Sequence, residues 1–236
     1  MPLPDGIRAL TERVDGELVA SHDYYTNTKF AWFIVQTAIE SKTKFTIRNQ
    51  ITGTVTDQTE LATHIEEYVQ KQLTEATFQQ FISIFESFFF DFLRLWLTAY
   101  PRSLIGKKVD LKAILDAPDK DAIVQLAIGK ELNEVLYERP TAWFAYLEDK
   151  VKLGCPTMDE IDRIAEAKAA RDVLVHNRGV VGKSYESKAG RFARYKEGDQ
   201  IDVPEPYHRE TWELLRKVVA DVSNAALAKT PLGATP

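Results

Sequence analysis

Only one of the 236 residues is a cysteine, Cys155, so no disulfide can form within the chain, and a lone thiol fits a reducing compartment. Uninterrupted apolar sequence is equally scarce. The most hydrophobic run, residues 81–100, is broken by Glu86, Asp91 and Arg94, which argues against a membrane-spanning helix. Asp5, Glu12, Asp15 and Glu17 are scattered through residues 1–20, so that stretch does not read as a secretory signal. Metal-ligand spacings of the His-Glu-x-x-His, Cys-x-x-Cys or EF-hand kind are missing, and neither a metal nor a cofactor is expected. Gly182-Lys183-Ser184 looks like the tail of a phosphate-binding loop, but that loop needs a glycine five positions earlier, where Asn177 stands, and a preceding strand. The expectation is a cytoplasmic protein with no membrane partner.

What is present is helical periodicity. Residues 7–18 predict a short helix, and residues 30–39 form a second apolar stretch behind the polar segment 21–29. Alternation in Lys44-Phe45-Thr46-Ile47-Arg48 and Thr54-Val55-Thr56, around Thr52-Gly53, predicts a small hairpin. Residues 1–56 thus read as an N-terminal accessory segment. Asp57 and Glu60 carry a capping-box spacing. Beyond them apolar residues recur at helical intervals to Leu97, as one very long helix or two broken near Thr74, with aromatics buried on more than one side. Further helices are predicted at 122–137, ended by Pro140, and at 142–153, capped by Thr141. Thr157 and Glu160 form another capping box, opening an alanine-rich helix. A polar, flexible segment at 186–205 precedes a final amphipathic helix over 205–227. The expected fold is all-α, an antiparallel helical bundle over residues 57–236.

The alanine-rich helix ends in Arg171-Asp172-Val173-Leu174-Val175-His176-Asn177-Arg178-Gly179, and Asn177 with Gly179 should stop it. A five-residue step turns a side chain by about 140°, so Arg171 and His176 do not share a face of one straight helix. Asp172 and His176, four apart, do, which predicts a hydrogen bond that orients the imidazole. Arg171 can bend toward the same site or serve the histidine of a second copy.

Arg, a polar residue, three apolar residues, His, Asn and a nearby Gly resemble the R-x4-6-H signature of the HEPN superfamily. The likeness extends in outline to Phe85-Glu86-Ser87-Phe88 on an earlier helix and to Gly179-Val180-Val181 leading to Tyr185. The resemblance implies a small all-helical domain, HEPN-like in its bundle, and a metal-independent ribonuclease of the toxin or antiviral-defence type, dimeric with its active site at the interface. It implies cleavage by attack of a ribose 2′-hydroxyl on the adjacent phosphate. His176 would move protons, Arg171 would neutralise the developing phosphorane charge, and Asp172 and Asn177 would assist. Glu86 is the candidate acid to hold Arg171. An antitoxin or other masking protein would be the partner of such an enzyme.

A net charge of −5 argues against a broad nucleic-acid-coating surface. Its distribution points the other way: Arg178, Lys183, Lys188, Arg191, Arg194 and Lys196 follow the motif against the single acid Glu186, with Tyr185 among them. Arg178, Lys183, Tyr185, Lys188, Arg191 and Arg194 are therefore the candidate RNA contacts. A solvated loop is the plainer reading of that run. His176 satisfied by Asp172, with Arg171 in a salt bridge, is the plainer reading of the motif. Two other function classes fit the sequence: a non-catalytic HEPN-like module binding RNA, nucleotides or a protein, and a helical scaffold unrelated to nucleic acid.

Overall fold

In the computed structural model, which describes residues 1–230, α1 runs unbroken from Leu3 to Glu40. The polar stretch at 21–29, expected to separate two elements, stays helical because two of its rings are anchored. His22 stacks on Trp212 at 4.1 Å between centroids, and Tyr25 lies 4.2 Å from His208. The hairpin forms as predicted, Thr46–Arg48 (β1) antiparallel to Val55–Asp57 (β2), with Ile47 opposite Thr56. Asp57 caps α2 (Gln58–Glu66) by accepting from the Thr59 and Glu60 amides.

The question of one long helix or two has an intermediate answer. α2 passes into a π-helical stretch, Glu67–Leu73, and then directly into α3, Thr74–Ala99, with αR backbone at each junction. The Thr74 hydroxyl donates to the Val69 carbonyl at 3.0 Å, five residues back, as a widened turn requires. The axis is therefore continuous, while the extra residue per turn rotates the apolar face onto a new heading.

α3 is the centre of the core. Phe78, Phe81, Phe85, Phe88, Phe89 and Phe92 are all buried on it, packed on α1 and on the later helices. After a 3-10 turn (Pro101–Leu104) come α4 (Leu111–Asp116) and α5 (Lys120–Leu136). α6 spans Pro140–Val151, α7 spans Met158–Asn177, α8 spans Tyr185–Ala189, and α9 spans Glu205–Lys229. Pro140 does not end a helix but opens α6 at its first position, where its missing N–H is not needed, so Arg139 and not Thr141 is the N-cap. The all-α bundle is thus present, and no helix among the described residues is long and apolar enough to cross a membrane.

The accessory segment 1–56 needs correcting. Ile7, Leu10, Val14 and Leu18 belong to the common core, and Arg216 grips Asp15 through two bonds of 2.6 and 3.0 Å. The change of environment falls inside α1, past Tyr25. Beyond it Phe30, Phe33 and Ile34 are exposed, and Trp32 meets Tyr68 of the π-helical stretch at 5.7 Å.

His208, in the first turns of α9, is fully buried, its Nε2 2.8 Å from the Thr77 hydroxyl and its Nδ1 without a partner. Burial, and secondarily the nearby His22, lowers its pKa from 6.5 to about 4. The folded chain therefore holds His208 neutral while the unfolded chain protonates it near 6.5. Its contribution to stability is complete above pH 6.5 and is lost as pH falls toward 4, amounting to at most about 3 kcal/mol. Urea denaturation at pH 7 and pH 5 should show a loss of stability that is smaller in His208→Gln than in the parent; equal losses would refute this role.

Candidate functional site

α7 begins with the predicted capping box: the Thr157 hydroxyl accepts from the Glu160 amide while the Glu160 carboxylate accepts from the Thr157 N–H. Its alanines permit close packing, and Ile161, Ile164, Ala169, Ala170 and Val173 face the core. After Val173 the helix outruns the core. Its last turn, with Val175, His176 and Asn177, is exposed.

One turn earlier lies a cluster of four charges. Arg171, whose side chain is 21% exposed, donates from Nη1 to Asp172 Oδ1 at 3.1 Å and from Nη2 to the Ser83 hydroxyl at 3.2 Å. Nη2 also lies 3.4 Å from Glu86 Oε2, so the acid on α3 does hold this arginine. Lys168 completes the set, 2.9 Å from Glu86 Oε1 and 3.4 Å from Asp172 Oδ2. Two cations and two anions make the cluster formally neutral, and Arg171 Nε is left buried without a partner. Sequence reasoning missed Lys168 and Ser83. Both were legible by spacing, since Lys168 precedes Asp172 by four and Ser83 precedes Glu86 by three, which places each pair on one helical face.

The predicted bond from Asp172 to His176 is not made, because the carboxylate is turned toward Lys168 and Arg171. His176 stands in solvent about 7.5 Å further along the axis, five residues at 1.5 Å each. Within one chain the structure therefore joins Arg171, Asp172 and Glu86 and leaves His176 apart from them. Exposed Val175 and Val180, each 46% accessible, flank it.

The helix end is sharper than expected. Arg178 itself takes the left-handed conformation (φ 54°) and Gly179 follows (φ 81°), with the Gly179 N–H bonded to the Val173 carbonyl at 3.1 Å. The returning chain is then stitched to this turn: Ile201 N–H to Gly179 O at 2.8 Å and Val181 N–H to Asp199 O at 2.9 Å. A Cβ on Gly179 would sit 2.1 Å from the Gln200 amide nitrogen. Gly179→Ala should therefore destabilise by about 1–2 kcal/mol, from the backbone conformation and the displaced amide together. Adding Gln200→Ala should relieve only the second part; urea denaturation of the two variants measures both.

The basic run after the motif divides. Arg178, Lys183 and Lys188 are exposed and free to meet an anion. Three others are corrected. Tyr185 is only 1% exposed, and its hydroxyl donates to the buried Glu166 carboxylate at 2.8 Å, so it cannot stack on a base. Arg194 Nε is bound to the same carboxylate at 3.0 Å, its guanidinium 3.5 Å from the Tyr207 ring centroid. Arg191 bridges Asp162 and Asp159. The segment at 186–205 is accordingly no flexible loop: Ala189, Ile201 and Val203 are buried, and Arg191 and Arg194 are spent on anchoring it to α7. Asn177 is exposed, its amide over Gly182.

Comparison of the chain with protein-family models, with curated proteins and with solved structures finds no match in any of the three.

Proposed function

We propose that the chain is a metal-independent endoribonuclease of the HEPN type, acting as a homodimer in a toxin or antiviral-defence role and restrained by an antitoxin or masking protein. The observation that carries the reading is the pairing of Glu86 on α3 with Arg171 on α7 while His176 stays free in the next turn. An imidazole exposed at a helix end can exchange a proton with substrate, and a guanidinium pinned on its carboxylate side keeps a defined direction for a phosphate. The exposed Val175 and Val180 beside His176 favour a second copy there, which would bring Arg171 of one chain toward His176 of the other.

In the proposed reaction the 2′-oxygen loses its proton to a base and bonds to phosphorus. The 5′-oxygen leaves with a proton, giving a 2′,3′-cyclic phosphate and a 5′-hydroxyl end. His176 supplies one of these proton transfers, Arg171 steadies the charge on the non-bridging oxygens, and Asn177 and Arg178 contact the backbone nearby.

One observation favours a second reading. Both carboxylates around Arg171 already neutralise it, as suits a non-catalytic module that binds RNA or a protein partner. Incubating the purified chain with RNA in EDTA separates the two. Cleavage that is lost in His176→Ala supports the enzyme, and binding without cleavage supports the module.

A further inference from the structure

Beside the charge cluster lies a cleft of about 230 Å³ that the sequence did not suggest. Ala165 and Ala169 of α7 floor it, their small side chains leaving the hollow, and the turn joining α5 to α6 forms the opposite wall. Five charged side chains reach it: Arg139, Lys168 and Lys188 against Glu138 and Asp172. Lys168 and Asp172 belong to the Arg171 cluster and balance each other there. What decides the character of the cleft is the remainder. Arg139 donates from Nη1 to the Ser187 carbonyl at 2.8 Å, a neutral partner, and neither Arg139 nor Lys188 forms a salt bridge among the described residues, so the one remaining acid, Glu138, is outnumbered. The bond to Ser187 also fixes α8, and with it Lys188, against the α5–α6 turn.

At the mouth stands Tyr137, 89% exposed, an aromatic ring with no packing role. A net positive wall, two cations against the single acid Glu138, beside a free aromatic face is the combination that holds single-stranded nucleic acid, cations on the backbone and ring on a base. The volume agrees. It falls below the roughly 300–1,000 Å³ of sites that enclose a whole small molecule, and suits one unit of a chain that continues past both ends.

We infer that this cleft is a subsite for single-stranded RNA, in which Tyr137 stacks on one base and Arg139 and Lys188 hold the phosphates flanking it, leading the strand to the Arg171 cluster through their shared wall at Asp172. The inference rests on the RNA-cleaving reading for its ligand, not for its geometry.

The test uses the full chain carrying His176→Ala, so that RNA survives, and a short fluorescently labelled single-stranded RNA titrated at several salt concentrations. Tyr137→Ala should weaken binding by about 5- to 150-fold, the worth of one stacked base. Arg139→Gln with Lys188→Gln should lower the slope of log affinity against log salt by roughly 1.4, two phosphate contacts on a single strand. Lys44→Gln, in the loop after α1, should leave both unchanged. Cleavage by the unsubstituted chain alongside Tyr137, Arg139 and Lys188 variants that bind like their parent would overturn the subsite and leave the nuclease standing. Loss of binding in those variants with no cleavage by the unsubstituted chain would uphold the subsite and sink the nuclease. No binding by the parent, or equal affinity for duplex RNA, would overturn the subsite.

Discussion

Replacing His176 by alanine is expected to slow RNA cleavage by about 10²–10⁴-fold, the usual worth of a positioned proton-transfer group. The fold should be untouched. His176 is exposed and makes no side-chain hydrogen bond among the described residues, so the change in stability should stay within about 0.5 kcal/mol. The same site yields a sharper result when two inactive variants are mixed. Arg171 and His176 lie on different faces of α7, so a composite site would take one from each subunit. His176→Ala and Arg171→Gln chains, unfolded and refolded together, should then recover about a quarter of the parental activity, because half the dimers are mixed and each has one complete site. Recovery of nothing would mean that both groups act within one chain. An undiminished rate in His176→Ala alone would remove the imidazole from the mechanism.

How much of this was open to inspection in the sequence differs by element. α7 was legible from both ends, because a capping box and a left-handed stop are local signals that need no partner to be read. The hairpin and the long aromatic helix were legible for the same reason. α1 was misjudged because its polar stretch is held helical by Trp212 and His208, nearly two hundred residues away. The direction of Asp172 went wrong likewise: spacing allowed both Lys168 and His176 as partners, and only Glu86, arriving from α3, decided that the cations would gather on one side. Charge counting failed for the run after the motif. A cation next to a candidate site is informative only if no carboxylate claims it, and Arg191 and Arg194 are claimed by acids of α7 whose proximity no local pattern reveals.

Those claims lead to the largest stability effect expected. Glu166 is a buried acid on α7 that accepts from Tyr185 at 2.8 Å, Arg194 at 3.0 Å and, through its other oxygen, Tyr207 at 2.7 Å. Burial raises the pKa of both tyrosines and the Glu166 charge raises it further, so both stay protonated donors. Burial alone would lower that of Arg194, but Tyr207 and Glu166 more than offset this and keep it charged. Glu166→Ala would strand a buried hydroxyl, a partly buried hydroxyl and a partly buried guanidinium at once, a loss of about 3–5 kcal/mol against a typical total of about 5–15. At this chain length that corresponds to a melting temperature lower by roughly 10 °C. Glu166→Gln, which can still accept from two of the donors, should lose less than half as much. The damage should also be localised. Glu166 is where the returning segment at 180–203 is tied to α7 and α9, so limited proteolysis of Glu166→Ala below its melting temperature should cut first within that segment. Because that segment starts at the turn that ends α7 beyond His176, loosening it should also lower cleavage in samples that are still folded, more than Glu166→Gln does. A melting temperature within about 2 °C of the parent would show that the three donors find other acceptors, and that the segment's buried apolar residues and its other bonds suffice to hold it.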